Sequence, residues 1–179
     1  MPFRLAAATA LAAAALSIAA PLTATAGTSA IIAPSSKLIV VGRSVAGLKL
    51  GAEYGAMVKA WGAPKRCAAD RSTCLYYARA GSAHAVVRFT KGAVTTLELA
   101  ADPKSHQAGT LSGIRDEIGV RVGLKSRDLA AAYPAGSWHS SSVFVIPGPA
   151  HGETVFESTK GKITTLMVRV APDYLASIG

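Results

Sequence analysis

The run Gly42-Arg43-Ser44-Val45-Ala46 has the glycine-x-serine order of a hydrolase nucleophile elbow, in which a serine on a tight strand-to-helix turn attacks an acyl carbon. Its fifth position is alanine, no long helix follows, and the large parallel sheet that would bring an acid and a histidine to the serine is missing from the pattern. His84, His106, His139 and His151 stand in four separate segments. His151-Gly152-Glu153 matches half of a zinc-deaminase signature, but the Pro-Cys-x-x-Cys half has no counterpart. Asp116 and Glu117 are adjacent and therefore diverge, which does not suit the paired carboxylates of a glycosidase. Cys67 and Cys74 are the only cysteines, too few for a four-thiolate zinc site. No catalytic, cofactor-binding or metal-binding residue is expected from these patterns, and a small hydrolase is the least favoured reading.

The same two cysteines read as a disulfide closing a short polar loop, Ala68 to Thr73, provided that the chain leaves the cytoplasm. The first residues supply that condition. Arg4 gives positive charge, Leu5 to Ala20 form an apolar stretch, Pro21 ends it, and Ala24-Thr25-Ala26 offers small residues at the two positions that a signal peptidase reads. The expectation is a signal peptide over residues 1–26, cleavage before Gly27, export by the general secretory route, and a periplasmic or secreted destination. No cysteine follows the apolar stretch to carry a lipid, and no arginine pair marks a twin-arginine route. Sixteen Ala-rich residues also fall short of the ~20 strongly apolar ones that a membrane span needs.

Composition narrows the partners. The chain has 179 residues, with 19 Lys and Arg against 10 Asp and Glu. Removing Arg4 leaves 18 basic against 10 acidic, a net charge of +8. Residues 27–103 hold ten basic and four acidic side chains and residues 104–179 hold eight and six, so the first part is the more basic. Such a domain is drawn to anionic surfaces. Export and the lack of any recognition motif argue against nucleic acid. Adhesion to an anionic envelope polymer or to lipid head groups stays open as an alternative function.

The elements that would position these residues repeat. Gly47-Leu48-Lys49-Leu50-Gly51 returns as Gly119-Val120-Arg121-Val122-Gly123, and a helix-stopping residue, Gly62 or Pro134, lies eleven positions after each second glycine. Between them, Tyr54, Met57, Val58 and Trp61 fall at i, i+3, i+4 and i+7, one face of an amphipathic helix; the counterparts are Ser126, Leu129, Ala130 and Tyr133. Thr90 to Leu97 matches Thr159 to Leu166 at six of eight positions, with Lys-Gly between β-rich runs, the signal of a tight hairpin. Further strands are expected at 73–79 and 140–146. The predicted fold class is α+β: two tandem repeats, 27–103 with the disulfide loop and 104–179, each a short helix followed by an antiparallel meander, with the helices on one face of the sheet.

This arrangement resembles the tandem repeat of the beta-lactamase inhibitory protein (BLIP) family and the single αβ unit of small outer-membrane assembly lipoproteins of the SmpA/OmlA type. The matching residues are Gly51, Met57, Val58, Gly62 and Ala63, with Cys67 close behind, then Gly123, Leu129 and Ala130. The family's usual Gly-Met-Thr helix start is Gly51-Ala52-Glu53 here, and the second copy has no cysteine. The resemblance implies an exported, non-enzymatic domain that engages a protein partner through its sheet, and no inhibitory contact residue is carried over. Tyr76, Tyr77 and Trp138 are the candidate partner contacts. Tyr76 and Tyr77 project to opposite faces of one strand, so one of the two should reach the surface, and rigid aromatics with polar tips are enriched at interfaces. The competing place for these rings is the seam between the two copies.

Overall fold

A computed structural model of the chain describes residues 36–77, 83–101, 111 and 113–178. The expected signal peptide and His106 lie outside the described residues. Twelve strands are present among them: β1 Leu38–Val40, β2 Ser44–Val45, β3 Leu48–Lys49, β4 Arg66–Cys67, β5 Thr73–Tyr77, β6 Ala83–Thr90, β7 Ala93–Ala101, β8 Arg115–Asp116, β9 Ser137–Ser140, β10 Val143–Pro147, β11 Gly152–Thr159 and β12 Lys162–Val170. The helices are α1 Tyr54–Trp61, α2 Leu129–Ala132 and α3 Pro172–Ile178. None of them is long and apolar enough to cross a membrane.

The α+β prediction of two helix-plus-meander units is corrected by this inventory. The fold is mostly β, with an eight-stranded sheet in the order β4-β5-β6-β7-β12-β11-β10-β9 and a second, four-stranded sheet in the order β3-β2-β1-β8. The small sheet comes from segments read as a glycine-bounded helix entry and as a linker. Gly42 at φ 63°, Ala46 at 50° and Gly47 at 87° turn the chain twice within ten residues, and β8 then pairs in parallel with β1. The second helix shrinks to a 3-10 turn, Ser126–Asp128, and the four residues of α2, because Tyr133 leaves the helical region at ψ 83° and Pro134 follows it.

The two Lys-Gly runs are hairpin turns, as their sequence implies. Lys91 and Gly92 take φ of 51° and 80°, and Lys160 and Gly161 take 51° and 73°. Positive φ at both central residues is the backbone twist that joins antiparallel strands in two residues. In the strands that follow, Leu97 and Leu99 stand opposite Val168 and Leu166, so the two long hairpins meet at β7 and β12.

One face of the large sheet carries the core. Cys74, Tyr76, Ala85, Val87, Leu97, Leu99, Phe144, Phe156, Leu166 and Val168 pack with Met57 and Trp61 of α1, Leu129 of α2, and Ile39, Val45 and Leu48 of the small sheet. The Trp61 indole N–H reaches the carbonyl oxygens of Val45 and Ala46, each at 3.2 Å, and its ring meets Tyr76 edge-on at 5.6 Å. Helix α1 thereby ties the small sheet to the large one.

Candidate functional site

Cys67 and Cys74 form a disulfide, and they sit directly opposite each other on β4 and β5. The bond clamps the edge of the large sheet next to Tyr76 and Tyr77. Alternation along β5 sends those two rings apart. Tyr76 is 1% exposed, with its hydroxyl donating to the Gly62 carbonyl at 2.9 Å, and burial raises its pKa. As a partner contact Tyr76 is therefore corrected: it is a core residue whose one polar atom is already bonded. Tyr77 is 43% exposed on the opposite face. Trp138 is 40% exposed, but it lies edge-on to Phe144 at 5.1 Å, on the core-facing side of edge strand β9. The structure does not bring Tyr77 and Trp138 together; they occupy opposite faces near opposite edges of the sheet.

The pairing register assembles the face that Tyr77 belongs to. A row crosses the sheet through Leu75, Val86, Glu98, Met167, Val155 and Val145. It is apolar except for Glu98, and it spans six strands, about 24 Å at the usual strand spacing. Val86, Val155 and Val145 are buried, yet they lie outside the core cluster, because their side chains stand on the other side of the sheet. Polar rows flank the apolar one. On one side run Tyr77, His84, Ala100, Thr165, Glu157 and Val143; on the other run Thr73, Arg88, Thr96, Arg169, Glu153 and Pro147.

Ion pairs tie most of the charges on this face, and Glu157 and Arg66 stand outside them. Glu98 is held from both sides, by His84 Nε2 at 3.6 Å and by Arg88 at 3.7 Å, and Arg169 pairs with Glu153. The His84 and Arg88 side chains are 41% and 53% exposed, so the face is open to solvent at this point. An apolar centre with a polar rim is the anatomy of a protein interface. Apart from Tyr77, sequence reasoning missed these residues. Their signal was present in the alternation of β6, β7, β11 and β12, whose non-core positions are occupied by valine, methionine and paired charges rather than by lysine and serine.

The remaining candidates do not assemble a reactive centre. Ser44 is buried in the two-residue strand β2, away from any helix start, so the elbow geometry is absent. Among the described residues no three of His, Cys, Asp and Glu converge as metal ligands. His151 sits in the β10–β11 turn at φ 62° and stacks flat on Tyr174 of α3 at 4.0 Å.

Asp116, read as part of a linker, is in β8 and only 5% exposed. Its Oδ1 accepts the amide N–H groups of Ile118 at 3.1 Å and Val120 at 2.8 Å, while its Oδ2 has no partner. Burial raises the pKa of this carboxyl above its ordinary 3.8 against the lowering effect of those amides, and neighbouring Glu117 pushes the same way as burial. A raised folded-state pKa means that the contribution of Asp116 to stability is fully present below the ordinary Asp value and is lost as pH rises through the higher folded value. Asp116→Asn should therefore be more stable than the parent at pH 7, by about 1 kcal/mol, and the gap should close as urea melts are repeated toward pH 3. An Asn variant less stable at pH 7 would show that the carboxylate is favourably placed.

No family model matches the chain, and no curated protein matches it. Among solved structures, the chain is similar to an extracellular protein containing a SCP domain from Bacillus anthracis str. Ames, with a TM-score of 0.48 and 9% identity. The alignment covers 71% of this chain and 45% of that one.

Proposed function

We propose that the chain is an exported, non-enzymatic domain that binds a protein partner across the non-core face of its eight-stranded sheet. The observation that carries this reading is the exposed Tyr77 together with the half-buried Leu75 and Met167 and the solvent-exposed His84 and Arg88 on this face; Val86, Val155 and Val145, in the same row, are already covered. The Cys67–Cys74 disulfide and the signal-like first 26 residues agree with export.

The alternative, adhesion to an anionic polymer or to lipid head groups, draws on the +9 net charge of the whole chain. This face carries no excess of that charge: Arg88 and Arg169 are matched by Glu98 and Glu153, and the exposed Arg66 opposite Leu75 is offset by Glu157. Salt separates the two mechanisms, because a charge-driven complex weakens steeply with ionic strength and an apolar one does not.

The test is a pull-down from the envelope and secreted fractions with the parent protein, Met167→Glu, Tyr77→Ala and Trp138→Ala, each at low and high salt. The expected result is a specific protein retained at high salt by the parent and by Trp138→Ala, lost with Met167→Glu and reduced about tenfold with Tyr77→Ala. Retention of the same protein by Met167→Glu, or capture that disappears at high salt, would reject the sheet face as the binding surface.

A further inference from the structure

A second site lies where three elements close on the end of β12: the base of the β2–β3 hairpin, the β10–β11 turn and α3. They wall a cavity of about 370 Å³ with Arg43, Lys49, Leu50, Pro149, Val170 and Tyr174. That volume falls within the ~300 to 1,000 Å³ of small-ligand pockets. The walls are tied to one another. The Leu50 N–H donates to the Arg43 carbonyl at 2.9 Å and closes the hairpin, while the Gly42 N–H holds the hairpin to Thr154 of β11 at 2.8 Å. The Ala171 N–H donates to the His151 carbonyl at 2.7 Å, and the His151 ring stacks on Tyr174, so the β10–β11 turn is fixed against α3. An adjoining cavity of about 260 Å³ shares Gly51, Val170 and Tyr174 with the first, extends to Val94 and Leu175, and has an almost wholly apolar lining.

The charge of the two linings is of one sign. Arg43 and Lys49 in the first cavity and Lys91 in the second supply three cations, and neither lining contains Asp or Glu. Arg43 and Lys49 are exposed and enter no ion pair among the described residues, so a ligand can reach both. An uncharged apolar molecule would leave these cations unused, and a bare inorganic anion would leave the apolar walls unused. We propose that this site binds an anion-headed alkyl chain, with the head group at Arg43 and Lys49 and the chain along Leu50, Pro149 and Val170 toward Val94 and Leu175. The guanidinium fork takes two oxygens of one head group at once, and the lysine adds a point charge beside it. A fatty carboxylate and an alkyl phosphate ester present the same chemistry to these residues. None of the lining residues belongs to the rows of the non-core sheet face, so this site stands apart from the proposed partner surface.

The test follows amide shifts by NMR in the folded protein during titration with octanoate and octyl phosphate, with octanol, octylammonium and butyrate as comparisons, all below their micelle concentrations. The expected result is saturable shifts at Leu50, Ala150, Val170 and Tyr174 with octanoate or octyl phosphate. Butyrate should bind about tenfold more weakly or worse, because its shorter chain buries less, and octanol and octylammonium should give no saturable shift. Arg43→Gln combined with Lys49→Gln should weaken octanoate binding about tenfold. Lys125→Gln combined with Lys162→Gln removes the same charge at exposed positions outside both linings and should leave the affinity unchanged. The octylammonium arm reads the charge preference on the parent protein, with no substitution at all. Tighter binding of octanoate assigns the head group to a carboxylate, and tighter binding of octyl phosphate assigns it to a phosphate ester. An unresponsive parent protein, equal affinity for octanol and octanoate, or equal weakening by the two double variants would overturn the proposal.

Discussion

Trp61→Ala should lower the unfolding free energy by about 3 to 5 kcal/mol, a large share of the stability of a domain this size. Helix α1 has eight residues and no side-chain cap at Glu53, so it cannot hold itself together and depends on what it buries. Met57, Ala60 and Trp61 are that buried face. Trp61 also does something the aliphatic residues cannot: its indole N–H is the donor for the Val45 and Ala46 carbonyls of the small sheet. Alanine would leave a cavity beside Tyr76 and remove that donor at once. Trp138→Ala is the matching control, because Trp138 is 40% exposed on an edge strand and should cost about 1 kcal/mol or less. Equal losses in urea melts of the two variants would mean that α1 does not anchor the sheets to each other.

The contrast between those two tryptophans also shows how far the sequence could be read. The spacing Tyr54, Met57, Val58, Trp61 marks α1 because eight residues contain two full turns of period, and Gly62 at φ 83° ends it where the pattern stops. The Lys-Gly hairpins and the opposite orientation of Tyr76 and Tyr77 were legible for the same reason: each rests on local geometry alone. The small sheet was not. Strands of two or three residues carry too little alternation to register, and β8 joins β1 across more than seventy residues of sequence. The second helix was over-read, since Leu129 and Ala130 fit a helical face but Tyr133 and Pro134 close it after one turn. The candidate interface needed the strand order, because Leu75, Val86, Met167, Val155 and Val145 become one row only when β7 pairs with β12. Likewise, the orphaned Asp116 oxygen is a property of tertiary packing, and no local pattern announces it.

Gly152→Ala should be nearly as damaging as the loss of Trp61, through a different mechanism. The two sheets touch backbone to backbone where the β1–β2 turn at Gly42 meets the β10–β11 turn between Gly148 and Gly152. A Cβ placed on Gly152 would stand 1.8 Å from the Gly42 carbonyl oxygen, and one on Gly148 would stand 2.5 Å from the Gly42 Cα. Both obstacles are backbone, so no side-chain rotation relieves the clash. The turn is also tied down, with the Gly148 N–H bonded to the Gly152 carbonyl at 2.7 Å and the Gly42 N–H bonded to buried Thr154 Oγ1 at 2.8 Å. Relief requires the small sheet to lift off, which breaks the Thr154 bond and opens the core beneath it. A loss of about 3 kcal/mol is expected, at the upper end for an added methyl group. Gly161→Ala supplies the comparison: it sits at φ 73° with open space around its Cβ position, so only the left-handed backbone cost of about 1 kcal/mol applies. Urea melts that rank Gly161→Ala as the more damaging change would show that the two sheets do not meet at Gly42.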